Sequence, residues 1–157
     1  MTQKDKELLF KDLCARLPYV LYCNITDYTA EREEDENFDA PLLSIERTES
    51  GGYATFRFAA SEYKIWNNRT QLVKPYLRPL SSMTKEERYE IQEILGKDIE
   101  ILDGFINIIE SSRKRFSFLE LHALFNWLNV HHFDFRNLIG EGFALEAPEG
   151  MYNLKEK

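Results

Sequence analysis

His131, His132 and Asp134 are the residues here whose types could do chemistry at short range. Histidine is the commonest neutral metal ligand and acid–base group, and an aspartate can orient an imidazole. On that chemistry the trio reads as a metal-assisted hydrolase. The spacing argues otherwise. Adjacent helical residues point about 100° apart, so two consecutive histidines do not face one ion. The third histidine, His122, lies nearly three turns back, and zincin spacing needs histidines four apart. The pair reads better as the end of a helix, where imidazole groups complement unpaired carbonyls.

Other reactive patterns are missing from the 157 residues. No G-x-S-x-G elbow is present, and neither Gly51-Gly52 nor Gly140-x-Gly142 builds a phosphate loop. Cys14 and Cys23 read as small buried apolar residues, reduced in a cell interior. Six carboxylates crowd positions 31–39, including Glu33, Glu34, Asp35 and Glu36. They repel one another, so this stretch reads as a solvated loop, and it lacks the spacing of a calcium site. General acid catalysis needs a desolvated carboxyl, which such a loop does not offer. The expectation is a protein that is not an enzyme, with no catalytic residue, metal or cofactor.

Two binding readings remain. Lys plus Arg number 20 against 27 Asp plus Glu, a formal charge of −7, which disfavours a body that clings to phosphate backbones. Arg113-Lys114-Arg115 is the tight basic cluster and, with aromatics on a sheet face, supports nucleic-acid binding as the alternative. Alternation places Phe56 and Phe58 on one face, as core more than platform. A protein partner is the leading reading. Its contact surface is either Glu33–Glu36 or the narrow polar face of His122, Asn126 and Asn129.

The elements that position these residues follow from periodicity. Residues 4–17 read as a helix with Leu9, Phe10, Leu13, Cys14 and Leu17 on one stripe, ended by Pro18. Residues 19–25, 42–48 and 53–58 alternate as half-buried strands, with a Ser50-Gly51-Gly52 turn between the last two. Residues 63–66 and 72–73 offer further short strands, giving a small curled antiparallel sheet or an SH3-like barrel. Residues 73–80 carry Pro75 and Pro79 and read as a connector. Thr84 with Glu87 forms a capping box that opens a helix ending before Gly96. Residues 98–111 read as helix from Leu102, Phe105, Ile106 and Ile109. Ser117 with Glu120 caps a helix over 117–132 that is apolar around most of its circumference, and so is expected to be largely buried.

The class is therefore α+β: an N-terminal helix, a β-rich part, then a C-terminal helical part. The domain expectation is a single domain over 1–157, split into 1–80, 81–147 and a frayed tail at 148–157. No apolar run approaches the ~20 residues of a membrane span, and the first residues lack the apolar core of a secretory signal. A cytoplasmic protein with no membrane partner is expected.

Three stretches carry a resemblance: Asp12-Leu-Cys-Ala-Arg-Leu-Pro-Tyr19, Val73-Lys-Pro-Tyr-Leu-Arg-Pro-Leu-Ser-Ser-Met-Thr84, and residues 127–147 from Trp127-Leu-Asn-Val-His-His-Phe-Asp-Phe-Arg-Asn137 to Ala147. Together they resemble a family of small uncharacterised proteins encoded in prophages and other mobile elements of Bacteroides-type gut bacteria. The chain departs from that pattern at Val20 and Asn137, where the family favours glycine, and at Phe135, where it favours tyrosine. The resemblance implies a mobile-element setting and one domain. It carries no activity and no catalytic residue.

Overall fold

The computed structural model describes residues 1–27, 36–47, 54–59, 73–102, 105–109 and 117–152. In chain order the elements are α1 (Gln3–Arg16), β1 (Tyr22–Asp27), β2 (Glu36–Arg47), β3 (Ala54–Phe58), β4 (Val73–Leu77), α2 (Lys85–Leu95), β5 (Ile99–Leu102), β6 (Phe105–Ile108), α3 (Phe118–Val130) and β7 (Leu145–Glu146). A single 3₁₀ turn, Leu80–Ser82, precedes α2. The α+β class is as expected. Of the two sheet forms, the structure takes the open one: the described strands run β3-β2-β1-β4-β7, with two edges and no closure into a barrel.

The chain divides into two compact units. The first comprises Met1–Tyr76 and Gly140–Leu145, and the second comprises Leu77–Ile139 and Glu146–Lys157. In the first unit, β1 pairs antiparallel with both β2 and β4, and β2 pairs antiparallel with β3. Strand alternation sends Leu21, Cys23, Ile25, Ala40, Leu42, Phe56, Phe58 and Val73 inward, and α1 adds Leu9 and Leu13. Between Leu42 and Ser44 the β2–β3 register shifts by one residue. Leu43 is the extra residue of that bulge, which turns its side chain outward to 55% exposure.

Several expectations give way here. Residues 36–39 are not loop but the start of β2, so Glu36 belongs to a strand. The pleat makes this tolerable: Asn37 and Asp39 fall on the outer face opposite Thr26 and Asn24, which hydrogen-bond to them at 2.8 Å. Nor is the Pro75 stretch a connector; it lies in β4, with Pro75 opposite Cys23. Alternate residues of a strand serve opposite neighbours, so one proline removes one donor from one ladder. The neighbour on β4's other side, β7, is only two residues long. Cys14 is exposed, whereas Cys23 is buried as expected. Finally, the 50–52 turn and the 63–66 strand lie outside the described residues.

In the second unit, α2 begins at the expected capping box: the Thr84 hydroxyl accepts from Glu87 N–H, and the Glu87 carboxylate accepts from Thr84 N–H. It ends at Gly96, whose φ of 58° suits a residue without Cβ. Residues 99–108 form the β5–β6 hairpin rather than a helix. Ile99, Ile101, Ile106 and Ile108 are β-branched, which favours extended chain and outweighs a coincidental helical stripe. The core gathers Leu80, Met83, Ile91, Leu95, Ile99, Leu124, Leu128 and Phe133. Ala147 N–H donates to the Leu77 carbonyl at 2.8 Å and Tyr152 stacks on His132 at 3.9 Å; residues 153–157 of the expected frayed tail lie outside the described residues.

Candidate functional site

The 127–147 stretch folds around a turn that leaves α3. His131 caps the helix, and His132 takes a left-handed φ of 57°. Asn137 also sits at φ 58°, a conformation asparagine accepts. Asp134 closes the turn. Its carboxylate accepts from the backbone N–H groups of Leu138 at 2.9 Å and Ile139 at 2.8 Å, and from Arg136 at 3.3 Å. Arg78 is stitched alongside: its N–H donates to the His132 carbonyl, and its own carbonyl accepts from Asp134 N–H. That bridge carries the Arg78 guanidinium to 4.2 Å over the Phe133 ring.

From there Arg78 forks onto Glu87, with both carboxylate oxygens bonded at 2.7 and 2.9 Å. His131 Nδ1 stands 3.6 Å from the same carboxylate, and its ring stacks on Trp127 at 3.9 Å. Trp127 Nε1 in turn donates to Glu90 at 2.9 Å. Burial alone would raise the Glu87 carboxyl, but the neighbouring His131 imidazole, the bonds from Arg78 and the Thr84 backbone, and the Arg78 charge hold it well below the ordinary carboxylate range. The arrangement is a clamp tying the start of α2 to the end of α3.

The histidine trio therefore does not converge. His131 turns to Glu87, His132 is buried against Tyr152, and Asp134 is occupied by backbone donors. Among the described residues no group of three or more His, Cys, Asp or Glu side chains is placed to hold a metal ion. Phe56 and Phe58 are buried, so they offer no stacking platform. Glu33, Glu34 and Asp35 lie outside the described residues, as do Arg113, Lys114 and Arg115. An open depression of about 410 Å³ beside the C-terminal end of α2 is lined by Tyr89, Glu93, Gly96 and Asp98 among others, none of them a candidate site residue in the sequence.

The α3 surface departs most from expectation. Among the described residues the helix packs through Leu124, Leu128 and the partly buried Trp127, and the Phe125 ring meets that of Phe135 at 5.4 Å. Phe118 is 81% exposed, Leu119 78% and Phe125 47%. His122 and Asn126 are exposed between them, and the Phe118 and His122 rings lie 6.5 Å apart. Asn129, expected on that polar face, is instead buried in the last turn of α3, and its carbonyl accepts from His132 N–H. On a helical wheel the uncovered residues span roughly 160°, with the polar pair in the middle and aromatic or aliphatic groups on both flanks.

The sequence signal for this face was present in the all-round apolar pattern of α3, which burial alone does not explain. No helix among the described residues is long and apolar enough to cross a membrane. Comparison with known protein families, curated proteins and solved structures finds no match for this chain.

Proposed function

We propose that this is a non-enzymatic accessory protein of a phage-like or mobile element, acting in the cytoplasm through protein–protein binding. The contact surface is the uncovered face of α3: Phe118, Leu119, His122, Phe125 and Asn126. One observation carries the reading. Three large apolar side chains stand 47–81% exposed on one helix face, and exposed apolar patches of a few hundred Å² are often functional. The mobile-element setting rests on the sequence resemblance.

Affinity capture from the host, comparing the natural chain with a Phe118→Asp/Leu119→Asp variant, tests the proposal. A specifically associated protein, lost in the variant while the circular dichroism spectrum is retained, is the expected result. Equal capture by both chains would refute the α3 face. Neutralising Glu33, Glu34 and Asp35 tests the acidic stretch separately, because deleting 31–39 would also remove the start of β2.

A further inference from the structure

We infer that the uncovered face of α3 is self-complementary, and that two copies of this chain pair through it. The helices run antiparallel about a two-fold axis beside His122. This rests on the reading of α3 as a protein-binding face and names the partner.

The first argument is the pattern. Phe118 and Phe125 stand seven residues, about 10.5 Å, apart along the helix, with His122 between them. Reversing the helix about His122 lays Phe118 of one copy beside Phe125 of the other, twice over. Leu119 and Asn126 then border the contact on both sides. An isologous contact requires that a surface meet its own reversed image, and the order aromatic, imidazole, aromatic reads alike in both directions.

Charge is the second. Residues 118, 119, 122, 123, 125 and 126 are Phe, Leu, His, Ala, Phe and Asn, with no carboxylate, lysine or arginine. Glu120, the carboxylate of this helix, folds back onto Ser117 N–H at 2.6 Å. A chain of net charge −7 repels its copies in general, and this face adds no like-charge contact of its own to that repulsion. Antiparallel helices also set the positive end of each dipole beside the negative end of the other.

Area is the third. Phe118, Leu119 and Phe125 together leave roughly 400 Å² of apolar surface open, given aromatic side chains of about 200 Å² each. Interfaces are about 60% apolar, so this corresponds to roughly 650 Å² per copy, at the lower end of specific contacts. The dimer is therefore weak and concentration-dependent.

Sedimentation velocity of the full chain, from about 1 to about 300 µM, spans the range where an interface of this size dissociates. The expected result is a mass rising from 18.6 kDa towards twice that value. Phe118→Asp should raise the dissociation constant at least about thirtyfold, as loss of a central anchor does. Leu43→Asp, at an exposed leucine of the first unit, should leave it unchanged. In a Cys14→Ser background, His122→Cys should form a disulfide between copies under mild oxidation, whereas Lys11→Cys should not. A monomer at every concentration overturns the self-pairing, as does a dimer indifferent to Phe118→Asp or to cysteine position. If the monomer still captures a host protein through Phe118 and Leu119, the face binds another protein and only the second copy is refuted.

Discussion

The two units each hold an arginine–carboxylate pair with a closest N–O distance of 2.7 Å, in opposite surroundings. Asp12 and Arg16 in α1 are one helical turn apart and have no solvent exposure. Arg78 and Glu87 are nine residues apart and keep 18% and 14% of their side-chain surface. The first pair can form as soon as α1 does, because i and i+4 share a helix face; folding then encloses it. The second pair exists only once the Arg78 bridge to Phe133 and the start of α2 are both in place. One charge pair is thus enclosed by tertiary structure, while the other is assembled by it.

Removing one partner from the enclosed pair gives the largest expected effect. Arg16→Met leaves the Asp12 carboxylate buried beside Cys23, whose thiol is already pushed up by burial and by the Asp12 charge. A loss of about 3–5 kcal/mol is expected in urea unfolding. The double variant Asp12→Leu/Arg16→Met should recover most of that loss, because apolar groups of similar volume avoid the desolvation cost of two charges. If the double variant is no more stable than the single one, the pair is stabilising in itself and the contrast with Arg78–Glu87 narrows.

Glu87→Gln should cost less, about 1.5–3 kcal/mol, the range for hydrogen bonds to a charged group. Solvent reaches the pair, and Arg78 retains the Phe133 ring beneath it. The same glutamate sets a pH dependence. Its carboxyl is held below the ordinary value in the folded chain and titrates near pH 4.3, approximately, when unfolded. The stabilisation is therefore complete above about pH 5 and is lost as pH falls towards the folded-state value. Urea midpoints between about pH 3 and pH 7 should fall less steeply in Glu87→Gln than in the natural chain. Parallel curves for the two chains would show that other carboxylates dominate the acid limb.

Legibility in the sequence divides along the same line as the ion pairs. Features made within one turn of chain were readable: the Thr84–Glu87 and Ser117–Glu120 boxes, the Gly96 stop and the alternation around Phe56 and Phe58. The Thr2–Asp5 box at the start of α1 obeys the same rule with aspartate at its third position. Features that depend on distant residues were not readable. Asp12 falls on the buried side of α1 because Arg16 accompanies it. The β5–β6 hairpin shares its apolar spacing with a helix. Burial of an all-round apolar α3 depends on whether other elements cover it, and neither periodicity nor capping states that. The candidate face was thus half visible, as His122 and Asn126, with its aromatic flanks assigned to the core.

The smallest effect tests whether local features behave alike in both units. Thr84→Ala removes the hydroxyl that accepts from Glu87 N–H at 3.2 Å, and Thr2→Ala removes its counterpart at 3.3 Å. The caps look equivalent by distance, yet the Glu87 carboxylate of the first also holds Arg78, whereas the Asp5 carboxylate of the second turns back to Thr2 N–H at 2.6 Å. Losing the Thr84 hydroxyl frees the first turn of α2 and, with it, the aim of Glu87. Thr84→Ala should therefore cost about 1 kcal/mol, the usual worth of a cap. Thr2→Ala should cost less, a few tenths, because among the described residues the Asp5 side chain hydrogen-bonds to Thr2 alone and ties in no second element. Combining Thr84→Ala with Glu87→Gln should cost less than the sum of the separate losses, because both changes break the same box. Full additivity would mean that the cap and the clamp are independent, and that Glu87 acts through Arg78 and His131 alone.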